Sequence, residues 1–279
     1  MKKKILVLYH KNCLDGFGGA LAAWKKFGNK AEYVAVNPET LPEKFPADRR
    51  IYAIDVSYSV AIQKKLRGKN ESLVVLDHHA GMASDTGYFP ENIFDNGHSG
   101  AVIAWRYFHP RKRTPKLLHH IEDIDLWKWR MRGTREIISA LALLDYDFPA
   151  WEKFLKDVEN PRKRKSIVRD GKLLSSYEKK IIERLVESAA KVSFEGMKVL
   201  CVNSPVLNSE IANELVKKAP PVGIVWAQKG DATRVSLRSD GTVDVSKLAK
   251  KHGGGGHIKA SGFVFGADKK IPWKIVKKK

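Results

Sequence analysis

Within the first 79 residues, three short apolar runs each end on side chains that can hold a metal ion. Ile5-Leu6-Val7-Leu8-Tyr9 runs into His10 and Asp15, Ile51-Tyr52-Ala53-Ile54 into Asp55, and Leu73-Val74-Val75-Leu76 into Asp77-His78-His79. Runs of this length, alternating with helical patterns, read as buried strands of a parallel sheet. In open α/β sheets the carboxyl ends of the strands border the ligand crevice. A lone Asp at a strand end is usually a turn former or a helix cap, and this would account for Asp55 before Ser57. A carboxylate and two imidazoles in a row at the border of a core have no such ordinary explanation. Three strand ends of this kind point to a single site holding a divalent cation. The mixture of carboxylate and imidazole suits Mn²⁺, Zn²⁺ or Fe²⁺ better than Ca²⁺ or Mg²⁺.

The spacing predicts strands near residues 4–9, 32–36, 51–55 and 73–77, with helices near 59–67 and from Ser99 to Phe108. Ala20, Ala23, Trp24 and Phe27 form the apolar stripe of a further helix, with Gly28 as its C-cap. Residues 114–192 read as mostly helical, interrupted at Asn160-Pro161 and Asp170-Gly171, with Trp127, Trp129 and Trp151 expected to pack into a core or an interface rather than serve as base-stacking platforms. A second α/β pattern starts at Gly196. Its strands are expected at 197–202, 222–228, 233–238 and 262–266, and its helices at 208–218 and 245–252. The fold class expected is α/β, with an N-terminal doubly wound parallel sheet over 1–150, a helical connector over 151–195 and a smaller α/β domain over 196–279.

Charge narrows the partners. Lys and Arg number 51 against 31 Asp and Glu, a net charge of +20, which attracts polyanions, nucleic acid before membrane. The tightest basic clusters are Arg162-Lys163-Arg164-Lys165 and Arg111-Lys112-Arg113. Cys13 and Cys201 make no disulfide framework and fit a reducing cytoplasm. The apolar run after Met1-Lys2-Lys3-Lys4 is too short for a signal peptide, and no segment approaches a membrane span. A cytoplasmic protein without membrane attachment is expected; the oligomeric state stays open, a homodimer being one candidate.

Two further groups carry chemistry. If residues 117–126 are helical, His119 and Asp123 lie on one face, making Asp123 a candidate metal ligand while Asp125 points elsewhere. In the second domain Gly253-Gly254-Gly255-Gly256-His257 lies between a predicted helix and a predicted strand. Consecutive glycines cost backbone entropy but let the backbone approach a ligand, and their N–H groups can cradle a phosphate. Arg238, at the end of Val235-Ser236-Leu237, is placed to fork phosphate oxygens.

Together these segments resemble the DHH-family phosphoesterases with their associated C-terminal domain, over nearly the whole length. Asp77-His78-His79 is similar to the motif that names the family, Asp55 to the single Asp of the second motif, and Asp123 to that of the fourth. Val235-Ser-Leu-Arg238-Ser-Asp-Gly and Gly253-Gly-Gly-Gly-His257 match the associated domain. The resemblance implies hydrolysis of phosphoester or phosphoanhydride bonds with two divalent metal ions, usually Mn²⁺. One ion would be held by Asp15, Asp55, His78 and Asp123 and the other by His10 and Asp55, with Asp55 bridging. Asp77 and His79 would orient ligands and contact the scissile phosphate as catalytic residues. Arg238, Gly254, Gly255, Gly256 and His257 would bind the substrate's far end.

The chain departs from the family in its first motif. The family pattern is His-x-x-x-Asp-x-Asp, and His10-Lys-Asn-Cys13-Leu-Asp15 is one residue short, with Cys13 where an Asp is expected. The His10 site is therefore expected to be weaker or softer, with Cys13 either ligating or filling space beside a water. Compact size and the glycine run favour short oligonucleotides (nano-RNA) and 3′,5′-bisphosphonucleosides as substrates. Alternatives are single-stranded DNA attacked as an exonuclease would, cyclic dinucleotides, and pyro- or polyphosphate. The non-enzyme alternative is a nucleotide- or RNA-binding module with a decayed metal site.

Overall fold

The computed structural model describes residues 3–37 and 47–276; Met1 and Lys2 of the lysine-rich start lie outside them. The chain divides into two compact units, Met1–Ser175 and Ser176–Lys279. The first contains β1 (Ile5–His10), α1 (Leu14–Phe27), β2 (Ala31–Val36), β3 (Arg50–Ile54), α2 (Val60–Arg67), β4 (Ser72–Asp77), α3 (Ala83–Thr86), β5 (Ile93–Phe94), α4 (Gly100–Phe108), α5 (Lys116–Asp125), α6 (Thr134–Leu141) and α7 (Phe148–Glu159). Helix α8 (Pro161–Glu187) follows and crosses the boundary between the units. The five strands form one wholly parallel sheet in the order β2-β1-β3-β4-β5.

Period-two alternation along β1 explains why helices lie on both faces. Ile5 and Val7 join a core with Leu21 of α1, Ala104 of α4 and Leu118 of α5, whereas Leu6 and Leu8 join a second with Leu66 of α2. Each fully buried side chain of this kind contributes about 1.5–3 kcal/mol. The chain reaches β3 on the far side of β1 from β2, so the strand order reverses between β1 and β3. Ligand crevices of doubly wound sheets form outside such a switch point.

The expected break at Asn160-Pro161 is present, because α7 ends at Glu159 and Pro161 opens α8. Asp170-Gly171, however, is not a break. It lies inside α8, where a Cβ on Gly171 would come within 2.0 Å of the Glu136 carbonyl oxygen. This glycine permits the close approach of two helices.

The second unit adds β6 (Ala190–Phe194), β7 (Met197–Asn203), α9 (Asn208–Lys218), β8 (Val222–Lys229), β9 (Ala232–Ser239), α10 (Val245–Lys251), β10 (Gly255–His257), β11 (Ala260–Gly266) and β12 (Lys274–Ile275). Its sheet runs β10-β11-β9-β8-β7-β6-β12; only β7 and β8 pair in parallel. Val199 and Cys201 of β7 enter one core, and Leu200 and Val202 enter the other with α9. The α/β expectation holds, with a parallel sheet followed by a second sheet. Among the described residues no helix is long and apolar enough to cross a membrane.

Candidate metal centre

Three adjacent strands deliver the first donors. His10 ends β1, Asp77 ends β4 and Asp55 directly follows β3. Asp55 is 1% exposed and takes a left-handed backbone, φ 57°, which costs a non-glycine residue on the order of 1 kcal/mol or more. Both its oxygens are engaged: Oδ2 lies 3.2 Å from His10 Nδ1 and accepts the Cys13 thiol at 3.3 Å, and Oδ1 lies 3.2 Å from His78 Nε2. Asp15, on the first turn of α1, accepts N–H bonds from Gly100 at 2.6 Å and Ala101 at 3.0 Å. These are the leading amides of α4, where the helix dipole favours an anion. A Cβ on Gly100 would fall 2.8 Å from Asp55 Cβ and 2.9 Å from Asp15 Oδ2, so only glycine lets α4 come this close.

Asp77 is fully buried and lies beside this pair. Its Oδ2 accepts the Ser57 hydroxyl at 2.6 Å, and its Oδ1 holds His79 Nδ1 at 2.7 Å, which fixes the imidazole ring. The charges interact strongly. Burial pushes Asp15 well above the usual carboxylate range, and the neighbouring carboxylates of Asp125 and Asp55 push it further. Burial also lifts Asp125 to about 6, against the opposing pull of His78. Burial alone would raise Asp55 too, but hydrogen bonds from His10 and His78 hold it below that range. His78 and His79 resist their own burial because of their carboxylate partners and sit near about 10 and about 9.

Among the described residues the donor atoms form three groups, each with its atoms within 4.8 Å of one another: Asp55, Asp77, His78 and His79; His10, Cys13 and Asp55; and Asp15, His78 and Asp125. Asp55 and His78 each belong to two groups. Hard oxygens, imidazole nitrogens and a surplus of buried negative charge fit divalent cations. Of the residues singled out from the sequence, the structure gathers His10, Cys13, Asp15, Asp55, Asp77, His78 and His79 here. It does not bring Asp123 to the cluster.

Asp125 stands where Asp123 was expected. The two residues are about 200° apart around α5, at 3.6 residues per turn, so they face different neighbours. Asp125 closes the helix with Oδ2 3.5 Å from His78 Nε2. Asp123 instead holds the following loop. Its carboxylate accepts Arg130 N at 2.7 Å, Met131 N at 3.1 Å and Thr134 Oγ1 at 2.7 Å, and its carbonyl accepts the Lys128 and Trp129 amides at 2.8 and 3.3 Å. The expected packing role is realised at Trp151, which is fully buried, but Trp127 is 39% exposed.

The second unit holds the remaining candidates. Arg238, Ala260 and His257 pair directly across β9, β11 and β10, so their side chains share one face of the sheet. Arg238 is half-buried and donates from Nη2 to the Ser209 hydroxyl and from Nη1 to its neighbour's carbonyl, Leu237 O, at 3.0 Å. A Cβ on Gly254 would strike Gly262 O at 2.1 Å, and Gly256 has φ +136°, whereas Gly255 faces open space.

Comparison with known proteins identifies the family and the fold. The DHHA1 domain matches residues 203–272. Uncharacterized protein R106 of Acanthamoeba polyphaga mimivirus is 31% identical over 286 residues, covering 93% of this chain and 67% of its own length. Oligoribonuclease NrnB of Bacillus subtilis (strain 168) is 24% identical over 293 residues, covering 91% of this chain and 71% of its own. The DHH domain of a member of a ribosomal-protein family shares the fold, with TM-score 0.62 at 13% identity, covering 95% of this chain and 83% of that one. The chain belongs to the DHH-family phosphoesterases.

Proposed function

We propose that this protein is a metal-dependent phosphodiesterase that removes nucleotides from the end of short oligonucleotides, nano-RNA foremost, and also accepts 3′,5′-bisphosphonucleosides. One observation carries the reading: Asp55 at the switch point belongs to the His10–Cys13 donor group and to a group with His78, which is itself grouped with Asp15 and Asp125, so Asp55 stands where a carboxylate bridging a pair of ions would. Asp15, Asp55, His78 and Asp125 would hold one ion, and His10, Asp55 and Cys13 the other. The donor chemistry favours Mn²⁺. Such ions neutralise phosphate charge and activate water. Asp77, braced by Ser57, sets the His79 ring to stabilise or protonate the leaving oxygen. Arg238, His257 and the Gly254–Gly256 backbone would bind a terminal phosphate or nucleotide. The name of the relative NrnB, an oligoribonuclease, and the +20 charge support a short polyanionic substrate.

The test is incubation of the wild type and Asp77→Ala with Mn²⁺ and a panel of substrates: an RNA ladder from the dimer upward, single-stranded DNA, a cyclic dinucleotide and 3′-phosphoadenosine 5′-phosphate. The wild type is expected to cleave the shortest RNAs fastest and the variant to cleave none. Equal turnover by both proteins, or none by either, would overturn the reading. Preference for long DNA or the cyclic dinucleotide would replace the substrate class.

A further inference from the structure

Directly after Asp125 the chain reads Leu126-Trp127-Lys128-Trp129-Arg130-Met131-Arg132, an aromatic and basic alternation on the loop leading to α6. Trp127 and Trp129 both take left-handed backbones, φ 52° and 51°, in which bulky side chains are true outliers. Such strain persists only where surrounding contacts enforce it. Here Asp123 enforces it, binding four loop amides and the Thr134 hydroxyl through its side chain and carbonyl. Lys128 Nζ adds a bond to Gly97 O at 3.1 Å. The two indoles meet edge to face at 5.1 Å, and the Arg135 guanidinium covers Trp129 at 4.6 Å. Trp129 is thus occupied within the loop, while Trp127 remains 39% exposed.

Hydrophobic packing does not explain a strained, hydrogen-bonded loop that leaves Trp127 39% exposed. Its surroundings select one occupant. Lys128, Arg130, Arg132 and Arg135 are all exposed and outnumber the neighbouring Asp125 and Glu122, the latter 3.8 Å from Lys128, so the loop suits an anionic ligand with a flat ring. Trp127 is two residues from Asp125, so their Cα atoms are at most about 7 Å apart. Asp125 in turn reaches His78 at 3.5 Å. The Trp127 backbone therefore lies within reach of the cluster to which Asp125 belongs.

We infer that Trp127 is a stacking platform for a nucleobase of a single-stranded substrate, displayed by the loop that Asp123 braces and flanked by cationic side chains that meet the phosphates. The inference rests on the reading of this unit as a phosphodiesterase of short oligonucleotides, and names how it grips their bases. Stacking tolerates any base, since every base has a π face. Recognition at this position is therefore of single-stranded nucleic acid in general.

Equilibrium binding measured without turnover separates this inference from the catalytic one. Titration calorimetry in EDTA would use an RNA trinucleotide and the same trinucleotide lacking its bases, against wild type, Trp127→Ala and Trp127→Phe. Wild type should prefer the base-bearing ligand by about 5- to 150-fold, the range that a stacked base supplies. Trp127→Ala should lose that preference and Trp127→Phe keep most of it. Equal loss on both ligands, an unchanged preference in Trp127→Ala, no preference in the wild type, or a change only in oligomeric state would each overturn the platform. Failure of the hydrolysis assay with the preference intact would overturn the enzymatic reading alone.

Discussion

Exchanging the roles of two neighbouring aspartates gives the sharpest test of the site. Asp123 accepts three hydrogen bonds through its carboxylate, from Arg130 N, Met131 N and Thr134 Oγ1. Asn at this position keeps one acceptor oxygen and turns an amide toward a remaining donor. At least one charge-assisted bond becomes a donor–donor contact, and bonds to charged groups contribute about 1.5–3 kcal/mol. Asp123→Asn should therefore cost about 2–4 kcal/mol, which in a domain of this size lowers the melting temperature by roughly 5–15 °C. Its Mn²⁺ affinity at temperatures where it stays folded should match that of the wild type. Asp125→Asn should do the reverse. Its side chain is 26% exposed and faces His78 and like-charged carboxylates rather than holding a loop, so stability should change less than in Asp123→Asn. Partners behind a ligand already cost roughly 10–100-fold in metal affinity, so losing a ligand should cost at least tenfold. Scanning calorimetry and Mn²⁺ titration of both variants decide the matter. A stable Asp123→Asn that no longer binds Mn²⁺, beside an Asp125→Asn that binds normally, would refute the assignment.

Wild type should bind two Mn²⁺ ions unequally because Cys13 offers a thiol beside His10 and Asp55, and Cys13→Asp should tighten the weaker site; equal affinities in both proteins, by calorimetry, would sink that expectation. A pH effect follows from His120, which is 3% exposed and bonded through Nδ1 to Thr134 Oγ1 at 2.9 Å. Burial depresses its pKa to about 4, so on acidification the unfolded chain takes up this proton first, at its ordinary value near 6.5. The stability it confers is complete above pH 6.5 and falls by roughly 3 kcal/mol as pH drops to 4. Urea unfolding of His120→Asn should show a flatter dependence across that window than the wild type does.

Where side-chain chemistry and period agreed, the sequence was legible. The runs ending at Asp55 and Asp77 are strands because their apolar residues fill both faces of a parallel sheet, and parallel strands leave their carboxyl ends at one edge. Ser99 and the repeat behind it placed α4 to within a residue. Asp123 misled because helical spacing locates residues relative to one another but does not say which face meets the sheet edge. That depends on how α5 packs and where it ends, and its final residue proved to be the one turned to His78. Asp170-Gly171 misled in the opposite way, since a dipeptide common in turns also serves where two helices need contact without a Cβ. The left-handed tryptophans leave no local signal, because nothing in their own propensities favours that backbone. The short strands β5 and β12, of two residues each, carry no period at all.

The amide bonds from Gly100 and Ala101 to Asp15 join positions 85 and 86 residues apart in the chain. Together with the reach from Asp125 back to Asp15, they make the centre depend on chain from His10 through Asp125. A divalent ion would find its donors together only after this late closure, and its mass action would then draw the closed chain further toward its native state.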